Sequence, residues 1–289
     1  MPESVWLHYD QQALDDQYNQ RILVPNANEY MARHGVLSAQ VRAELECRLD
    51  VPYGPSDDEK VDIFPAAQKG APLVVYFHGG AWTRWHKDNN SFQAPHFVNA
   101  GATFVPVNFA LVPQVSLDEL VRQCKASVVW AYHHAAEFGA DPDRLYVAGH
   151  SSGAHVVGLI AVTDWAKDYG LPAGVIRGAY AASGMYDLKP VRLCSRQEYL
   201  NLDAAAECRL SAMRHIPDRM PPMVIAYGEG EQKEFRRQSK DWAKELRRLG
   251  HPVAAELDLP GLHHFEVAEQ FANPDGPLLQ AIFRDMGLR

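Results

Sequence analysis

One serine in the sequence stands where it could act as a nucleophile. In YVAGHSSGAHV, residues 146–156, the segment from Gly149 to Gly153 matches G-x-S-x-G. An apolar run before it predicts a buried strand and the residues after it predict a helix, a setting in which this pattern forms a sharp turn that exposes the central hydroxyl. The glycines leave room for the neighbouring strand and helix. Ser151 holds the central position and Ser152 supplies only its backbone N–H; the alternative is a chance match at a helix N-terminus.

A second motif could hold the oxyanion that forms when such a serine attacks a carbonyl group. HGGAW, from His78 to Trp82, follows another predicted strand, and its glycine pair lets backbone N–H groups approach a ligand closely. We expect the N–H groups of Gly80 and Ala81, together with that of Ser152, to form the oxyanion hole. His78 is expected to organise this loop through hydrogen bonds. Trp82 is expected to pack near the floor of the pocket, as a candidate for substrate contact.

The serine needs a base to take its proton. In folds with this strand-turn-helix motif the chain order is serine, acid, histidine, so the histidine should follow the last strand. LPGLHHFEVAEQF begins at the end of the last predicted strand and offers His264, which we prefer, and His263 as the second choice. The pair has no further Cys or carboxylate at metal-ligand spacing, so we expect no metal.

The acid that orients the histidine should follow the preceding strand, MVIAYG. The next residues, EGEQKEF, contain no Asp, and the candidates are Glu229, Glu231 and Glu234. A glutamate can orient an imidazole as an aspartate does, with one more methylene to place. We prefer Glu231 for its distance from the end of the strand, whereas Glu234 is expected to start a helix, where a carboxylate suits the helix dipole.

The elements that must position these residues alternate between strand and helix. The predicted strands are VDIF, 73–78, 102–109, 144–149, 176–183, 223–228 and 253–259, and the predicted helices are 116–138, 153–168, 233–249 and 266–272. Near-continuous apolar strands between amphipathic helices indicate a mainly parallel central sheet with helices on both faces, an α/β fold. Ligands bind at the carboxyl ends of the strands in such sheets.

Two segments fall outside this alternation. Residues 1–50 are polar and helical in pattern, and are too short to bury a core of their own, so we expect an N-terminal helical arm or cap followed by a catalytic domain over 51–289. Residues 189–217 are longer than a simple crossover requires. We interpret them as a helical insertion that arches over the strand ends as part of a lid.

Taken together, these motifs resemble the α/β-hydrolase superfamily, in particular the serine-dependent kynurenine formamidase (arylformamidase) group and its hormone-sensitive-lipase-like esterase relatives. HGGAW and GHSSGAH are shared with many esterases. LDVPYG, SGMYDL and EFRRQSK are more specific to the formamidase group, and with the final HHF they occur in that family's order. The resemblance covers about residues 14–270.

The resemblance implies a formamide hydrolase with N-formylkynurenine as the family substrate. Carried over residue by residue, Ser151 is the nucleophile and His264 the base. Glu231 stands where the family has an Asp, whose side chain is one methylene shorter. Tyr18, in LDDQYN, and Tyr186, in SGMYDL, become candidates for substrate contact, with simple packing as the alternative. Neither a metal nor an organic cofactor is required. The rival interpretations are a carboxylesterase for short acyl esters, which would use the same residues, and a non-catalytic binding protein, against which the nucleophile and the histidine argue.

Composition and charge favour a small-molecule substrate over nucleic acid or a membrane as the partner. The chain has 289 residues, 47% of them apolar, and a net charge of −8, which disfavours nucleic acid as a partner. The basic residues of 236–248 alternate with acidic ones at helical spacing and predict a solvated helix face. We see no signal peptide and no run of the roughly 18 apolar residues that span a membrane. The cysteines, Cys47, Cys124, Cys194 and Cys208, lack the pairing of a zinc site and predict free thiols and a cytoplasmic location. A homodimer is compatible with the sequence, which does not determine the oligomeric state.

Overall fold

A computed structural model describes residues 3–288, and its centre is one sheet of eight strands. The strands are β1 (Arg48–Pro52), β2 (Lys60–Ile63), β3 (Ala71–Phe77), β4 (Thr103–Val107), β5 (Ala140–His150), β6 (Ile176–Ala182), β7 (Met223–Gly228) and β8 (Val253–Leu259). Their order across the sheet is β1-β2-β4-β3-β5-β6-β7-β8. The pairs from β4 to β8 are parallel, whereas β1–β2 and β2–β4 are antiparallel.

Helices cover both faces of the sheet. They are α1 (Gln11–Gln17), α2 (Ala27–Glu44), α3 (Ala94–Asn99), α4 (Leu117–His134), α5 (Ser152–Ala161), α6 (Trp165–Tyr169), α7 (Lys189–Leu193), α8 (Gln197–Leu200), α9 (Ala204–Arg209), α10 (Lys233–Arg248), α11 (His264–Glu269) and α12 (Pro277–Met286). Short 3-10 helices lie at Gln20–Ile22, Lys87–Asn89, Ala135–Phe138, Ala212–Arg214 and Gln270–Ala272.

Strand β3 shows why the central strands are apolar throughout. Its side chains alternate between two cores: Leu73, Val75 and Phe77 face the core formed with α4, α5 and α10, and Val74 and Tyr76 face the core formed with α3, α11 and α12. Both faces of the strand are buried, so its sequence does not alternate between apolar and polar residues. The prediction of a mainly parallel sheet with helices on both faces is confirmed.

The structure differs from the expected elements in several places, among them the absence of α3 (Ala94–Asn99) from the predicted helices. Strand β1 was not predicted, because it lies at the sheet edge with most of its side chains exposed and so carries no apolar signal. The predicted helix 153–168 is two helices, since α5 ends and Asp164 caps a new helix with a hydrogen bond to the N–H of Lys167. Helix α12 was missed although its buried face packs on the sheet.

The segments outside the alternation both contain helices. The insertion 189–217 lies between β6 and β7 and holds α7, α8 and α9, and residues 1–50 hold α1 and α2. The division of the chain into an arm over 1–50 and a catalytic domain over 51–289 stays a prediction. In residues 3–288 no helix combines the length and apolar character that crossing a membrane requires.

Candidate active site

Ser151 occupies a strained turn between β5 and α5. Its backbone has φ 57° and ψ −120°, outside the regions that L-residues usually adopt. The N–H of Ser151 donates to the carbonyl of Ala182 at 2.8 Å, which ties the turn to β6. Gly153 is required by close packing, because a Cβ there would lie 2.0 Å from the carbonyl oxygen of Phe77. The turn therefore presents the Ser151 side chain beyond the carboxyl end of the strand.

Three side chains form a continuous hydrogen-bonded chain at this edge of the sheet. Ser151 Oγ lies 2.9 Å from Nε2 of His264, and Nδ1 of the same ring lies 2.5 Å from Oε1 of Glu231. All three residues are buried, each about 5% exposed. A carboxylate on Nδ1 holds the imidazole with its free nitrogen toward the serine, so the arrangement can deprotonate the hydroxyl.

The loop after β7 is built to hold Glu231 in this position. Its second oxygen, Oε2, accepts hydrogen bonds from Ser183 Oγ and from the backbone N–H of Gly228, both at 2.8 Å. Ser183 follows β6 and Gly228 ends β7, so two neighbouring strands fix one carboxylate. Both oxygens of Glu231 therefore have hydrogen-bond partners.

The other candidates from the sequence have different partners. His263 caps α11: its side chain accepts from the N–H of Glu266, and its Nε2 lies 3.1 Å from the Tyr30 hydroxyl. Glu229 is exposed and accepts from the N–H of Gly261. Glu234 is buried in α10 and forms an ion pair with Arg237. Of the two histidines only His264, and of the three glutamates only Glu231, takes part in the hydrogen bonds that reach Ser151.

The loop after β3 brings unpaired N–H groups to the same place. Gly80 and Ala81 line the cavity above Ser151, and both have positive φ, 110° and 54°. Within residues 3–288, no atom accepts a hydrogen bond from the N–H groups of Gly80, Ala81 or Ser152. The Ser152 hydroxyl accepts from the N–H of Trp82 at 3.3 Å and so links this loop to the start of α5. These free donors can stabilise an oxyanion.

Two buried histidines near the serine are neutral. Burial lowers the pKa of His78 to about 4, and its Nδ1–H donates to the carbonyl of Gly79 at 2.8 Å, in the loop that it was expected to organise. Burial, helped by the nearby His264, lowers the pKa of His150 well below its ordinary value. His150 lines the cavity, with its ring 4.5 Å from the ring of His264.

Of the three residues predicted to contact the substrate, the structure places one at the cavity and two in the core. Tyr18 lines the cavity, while its hydroxyl accepts from Gln238 Nε2 at 3.3 Å. Trp82 and Tyr186 do not line it. Trp82 turns into the core, where its Nε1–H donates to His155 Nδ1 at 3.2 Å, and Tyr186 is fully buried against Trp242 with ring centroids 4.9 Å apart. Both rings bury their large apolar surface in the core, which removes them from the cavity.

The cavity above Ser151 has a volume of about 240 Å³. It is lined by the N-terminal segment, the loop after β3, the serine turn, the insertion 189–217 and the start of α11: Tyr18, Asn19, Gln20, Arg21, Met31, Gly80, Ala81, Arg84, Trp85, His150, Ser151, Ser195, Arg196, Tyr199, His264 and Phe265. Sequence reasoning missed Arg196, because an arginine in a polar helical segment usually faces solvent and no motif marks this one.

Comparisons with known proteins find relatives of this chain. The BD-FAE family model matches residues 61–177. The chain is 32% identical to a kynurenine formamidase of Salmo salar over 261 residues, 86% of this chain and 85% of the relative. It is 26% identical to the esterase LipQ of Mycobacterium tuberculosis over 244 residues, 76% of this chain and 57% of that protein.

A solved structure gives the same fold. A candidate thioesterase from Silicibacter sp. tm1040 superimposes with a TM-score of 0.81 and 25% identity, covering 93% of this chain and 98% of the other.

Proposed function

Because the chain belongs to the kynurenine formamidase family of the α/β-hydrolases, we propose that it hydrolyses the formyl amide of an N-formyl aryl amine such as N-formylkynurenine, through an acyl-enzyme on Ser151. The observation that carries the proposal is the hydrogen-bonded chain from Ser151 through His264 to Glu231, buried beneath a cavity with free N–H donors. The substrate is a small molecule, and the reaction needs only side chains, backbone N–H groups and water.

In the first half of the reaction, His264 removes the Ser151 proton as Oγ attacks the formyl carbon. The carbonyl oxygen becomes an oxyanion, for which the N–H groups of Gly80, Ala81 and Ser152 are the proposed donors. One such donor contributes about 3 kcal/mol to the lowering of the barrier. Glu231 stabilises the imidazolium that forms. His264 then protonates the departing aryl amine, which leaves a formyl ester on Ser151.

In the second half, water takes the place of the amine. His264 removes a proton from the water, the hydroxide attacks the formyl ester, and the second tetrahedral intermediate uses the same N–H groups. The histidine returns the proton to Ser151 Oγ, and formate leaves. Ser151 is only 5% exposed. A short acyl group such as formyl suits this position, because little space is needed for its carbon to reach Oγ.

The second candidate function is a carboxylesterase that acts on short acyl esters. The similarity to the esterase LipQ favours it, and ester cleavage would use the same three side chains and the same donors. The two functions differ in the leaving group: an aryl amine must be protonated by His264 as it departs, whereas an alcohol or phenol leaves more readily.

A rate comparison separates the two functions. The purified protein is given N-formylkynurenine and, in parallel, p-nitrophenyl acetate, and formate, aryl amine and p-nitrophenol are measured. Formate release with kcat/KM above that for the ester supports the formamidase. Rapid ester cleavage with no formate from the amide would reject it and leave the esterase.

The proposed location is the cytoplasm. All four cysteines, Cys47, Cys124, Cys194 and Cys208, are free thiols in the structure, which supports a reducing environment. Fractionation of cells that express the protein, with a marker for each compartment, tests this location.

A further inference from the structure

Arg196 is a buried cation without a counter-charge. It is 5% exposed and lines the same cavity as Ser151. Its three hydrogen bonds go to neutral acceptors: Nη2 donates to the carbonyl of Tyr18 at 2.7 Å and to Gln20 Oε1 at 3.2 Å, and Nη1 donates to Met185 Sδ at 3.7 Å. In the described part of the chain it forms no ion pair, although buried arginines normally have one.

Aromatic rings hold the guanidinium in place. Its Cζ lies 5.4 Å from the ring centre of Tyr18, 5.8 Å from that of Trp82 and 5.9 Å from that of Phe235. Such contacts orient a cation but do not neutralise it. The side chain is therefore fixed in one place, with two of its five N–H groups free of protein acceptors among residues 3–288.

The surrounding cavity is positive, in contrast to the protein as a whole. Its lining within residues 3–288 includes Arg21, Arg84 and Arg196 but no Asp or Glu, whereas the chain carries a net charge of −8. A concentration of one sign of charge inside a cavity attracts ligands of the opposite sign. Arg21 and Arg84 are exposed at this cavity, and Arg196 is the buried one.

We propose that Arg196 binds a carboxylate of the substrate, so that the enzyme selects N-formyl aryl amines that carry a carboxylate on the part remote from the formyl group. This deepens, and rests on, the proposed formamidase activity. The two free N–H groups, one on Nε and one on Nη1, can each donate a charge-assisted hydrogen bond to an anion. An anion there supplies the missing counter-charge, and the substrate is anchored at one end by Arg196 while its formyl group reaches Ser151.

The test compares two substrates that differ only in this charge: N-formylkynurenine and its primary carboxamide, which keeps the same amino group. Wild type is compared with Arg196→Gln and with Arg209→Gln as a matched control. Arg209 lies in the same insertion and pairs with Asp118 at the exposed surface, so its substitution removes one positive charge away from the cavity. All variants are checked by circular dichroism and thermal melting.

We expect wild type and Arg209→Gln to prefer the carboxylate substrate in kcat/KM by about 30-fold or more. Arg196→Gln should lose most of that preference through a higher KM, with kcat/KM for the carboxamide changed less than about threefold. Arg196→Lys, which keeps the positive charge without the planar guanidinium, should lose less. Equal losses on both substrates in Arg196→Gln, or no preference in wild type, would overturn the proposal.

Two measurements keep the test independent of variant folding and of the formamidase assignment. On wild type, the inhibition constants of kynurenine and of kynurenine carboxamide are compared, and stronger inhibition by the carboxylate supports the role of Arg196. If no formamide is hydrolysed, the proposed function fails. The selectivity for a carboxylate is then measured by comparing the hydrolysis rates of 3-acetoxybenzoate and of its primary carboxamide. Equal rates on these two esters would contradict carboxylate binding by Arg196.

Discussion

Glu231 Oε1 lies 2.5 Å from His264 Nδ1, a contact that joins two loops 33 residues apart in the sequence. The loops follow the adjacent parallel strands β7 and β8, so the sheet itself brings them together. Glu231 is also fixed by Ser183 and Gly228 through its other oxygen. One carboxylate thus links the β6, β7 and β8 ends of the site, and the reactivity of Ser151 depends on it.

Replacing Glu231 with Gln should lower kcat by about 10³–10⁴-fold, because the amide keeps the shape but cannot stabilise the imidazolium. The variant should remain folded, since its side chain can still bond to neighbouring groups. Glu229→Gln is the control: Glu229 is exposed and its carboxylate accepts from the Gly261 N–H, so this substitution should change kcat less than about twofold. Steady-state rates with near-normal turnover in Glu231→Gln would contradict the assigned acid.

Replacing Ser151 with Ala should reduce turnover by about 10⁶-fold and abolish labelling by a fluorophosphonate probe, because the attacking oxygen is gone. Ser152→Ala removes only the acceptor for the Trp82 N–H and should keep most of the activity and all of the labelling. Mass spectrometry of the labelled protein locates the modified residue. Labelling that survives in Ser151→Ala but not in Ser152→Ala would reverse the assignment.

Gly153→Ala should destabilise the protein by about 3 kcal/mol or more, because the added Cβ would meet the Phe77 carbonyl oxygen at 2.0 Å and neither backbone can move freely. Gly174→Ala is the matched control, since no atom lies within 4 Å of the Cβ that it adds. Its free energy of unfolding, measured in urea, should stay within about 0.5 kcal/mol of wild type. Similar stability of the two variants would show that the turn tolerates a side chain.

His155 should make stability fall in mild acid. Burial lowers its folded pKa to about 4, and its neutral form donates through Nε2 to the carbonyl of Leu210 and accepts from Trp82 through Nδ1. The unfolded chain binds the proton near pH 6.5 and the folded one near pH 4, so the stabilisation is complete above about pH 6.5 and is lost as the pH falls toward 4.

Replacing His155 with Gln should therefore flatten the pH dependence. Between pH 6.5 and 5, the free energy of unfolding of the variant should fall less steeply with decreasing pH than that of wild type. The two slopes should differ by up to about 1.4 kcal/mol per pH unit. Urea denaturation at several pH values measures this slope, independently of any overall destabilisation. His133→Gln, at an exposed position, should leave the slope unchanged. An unchanged slope in His155→Gln would show that His155 does not remain neutral in the folded protein.

Local features of the site were readable from the sequence. The turn around Ser151 depends on a strand, a helix and small residues within eleven positions, YVAGHSSGAHV, and the structure places it between β5 and α5. The parallel sheet followed from buried strands with no polar face. Strand β1 did not, because an exposed edge strand leaves no apolar pattern to detect.

Side-chain direction and long-range contact were decided by the tertiary structure alone. Trp82 and Tyr186 stand in the expected motifs, yet their rings turn into the core toward His155 and Trp242. Arg196 lines the cavity only because the insertion 189–217 folds against Tyr18, 178 residues earlier in the chain. The sequence by itself determined which residue types could do the chemistry and in which turns they lie, since those depend on near neighbours. Which histidine and which glutamate meet Ser151, and which charge faces the substrate, depend on packing between distant segments, and no local pattern encodes that packing.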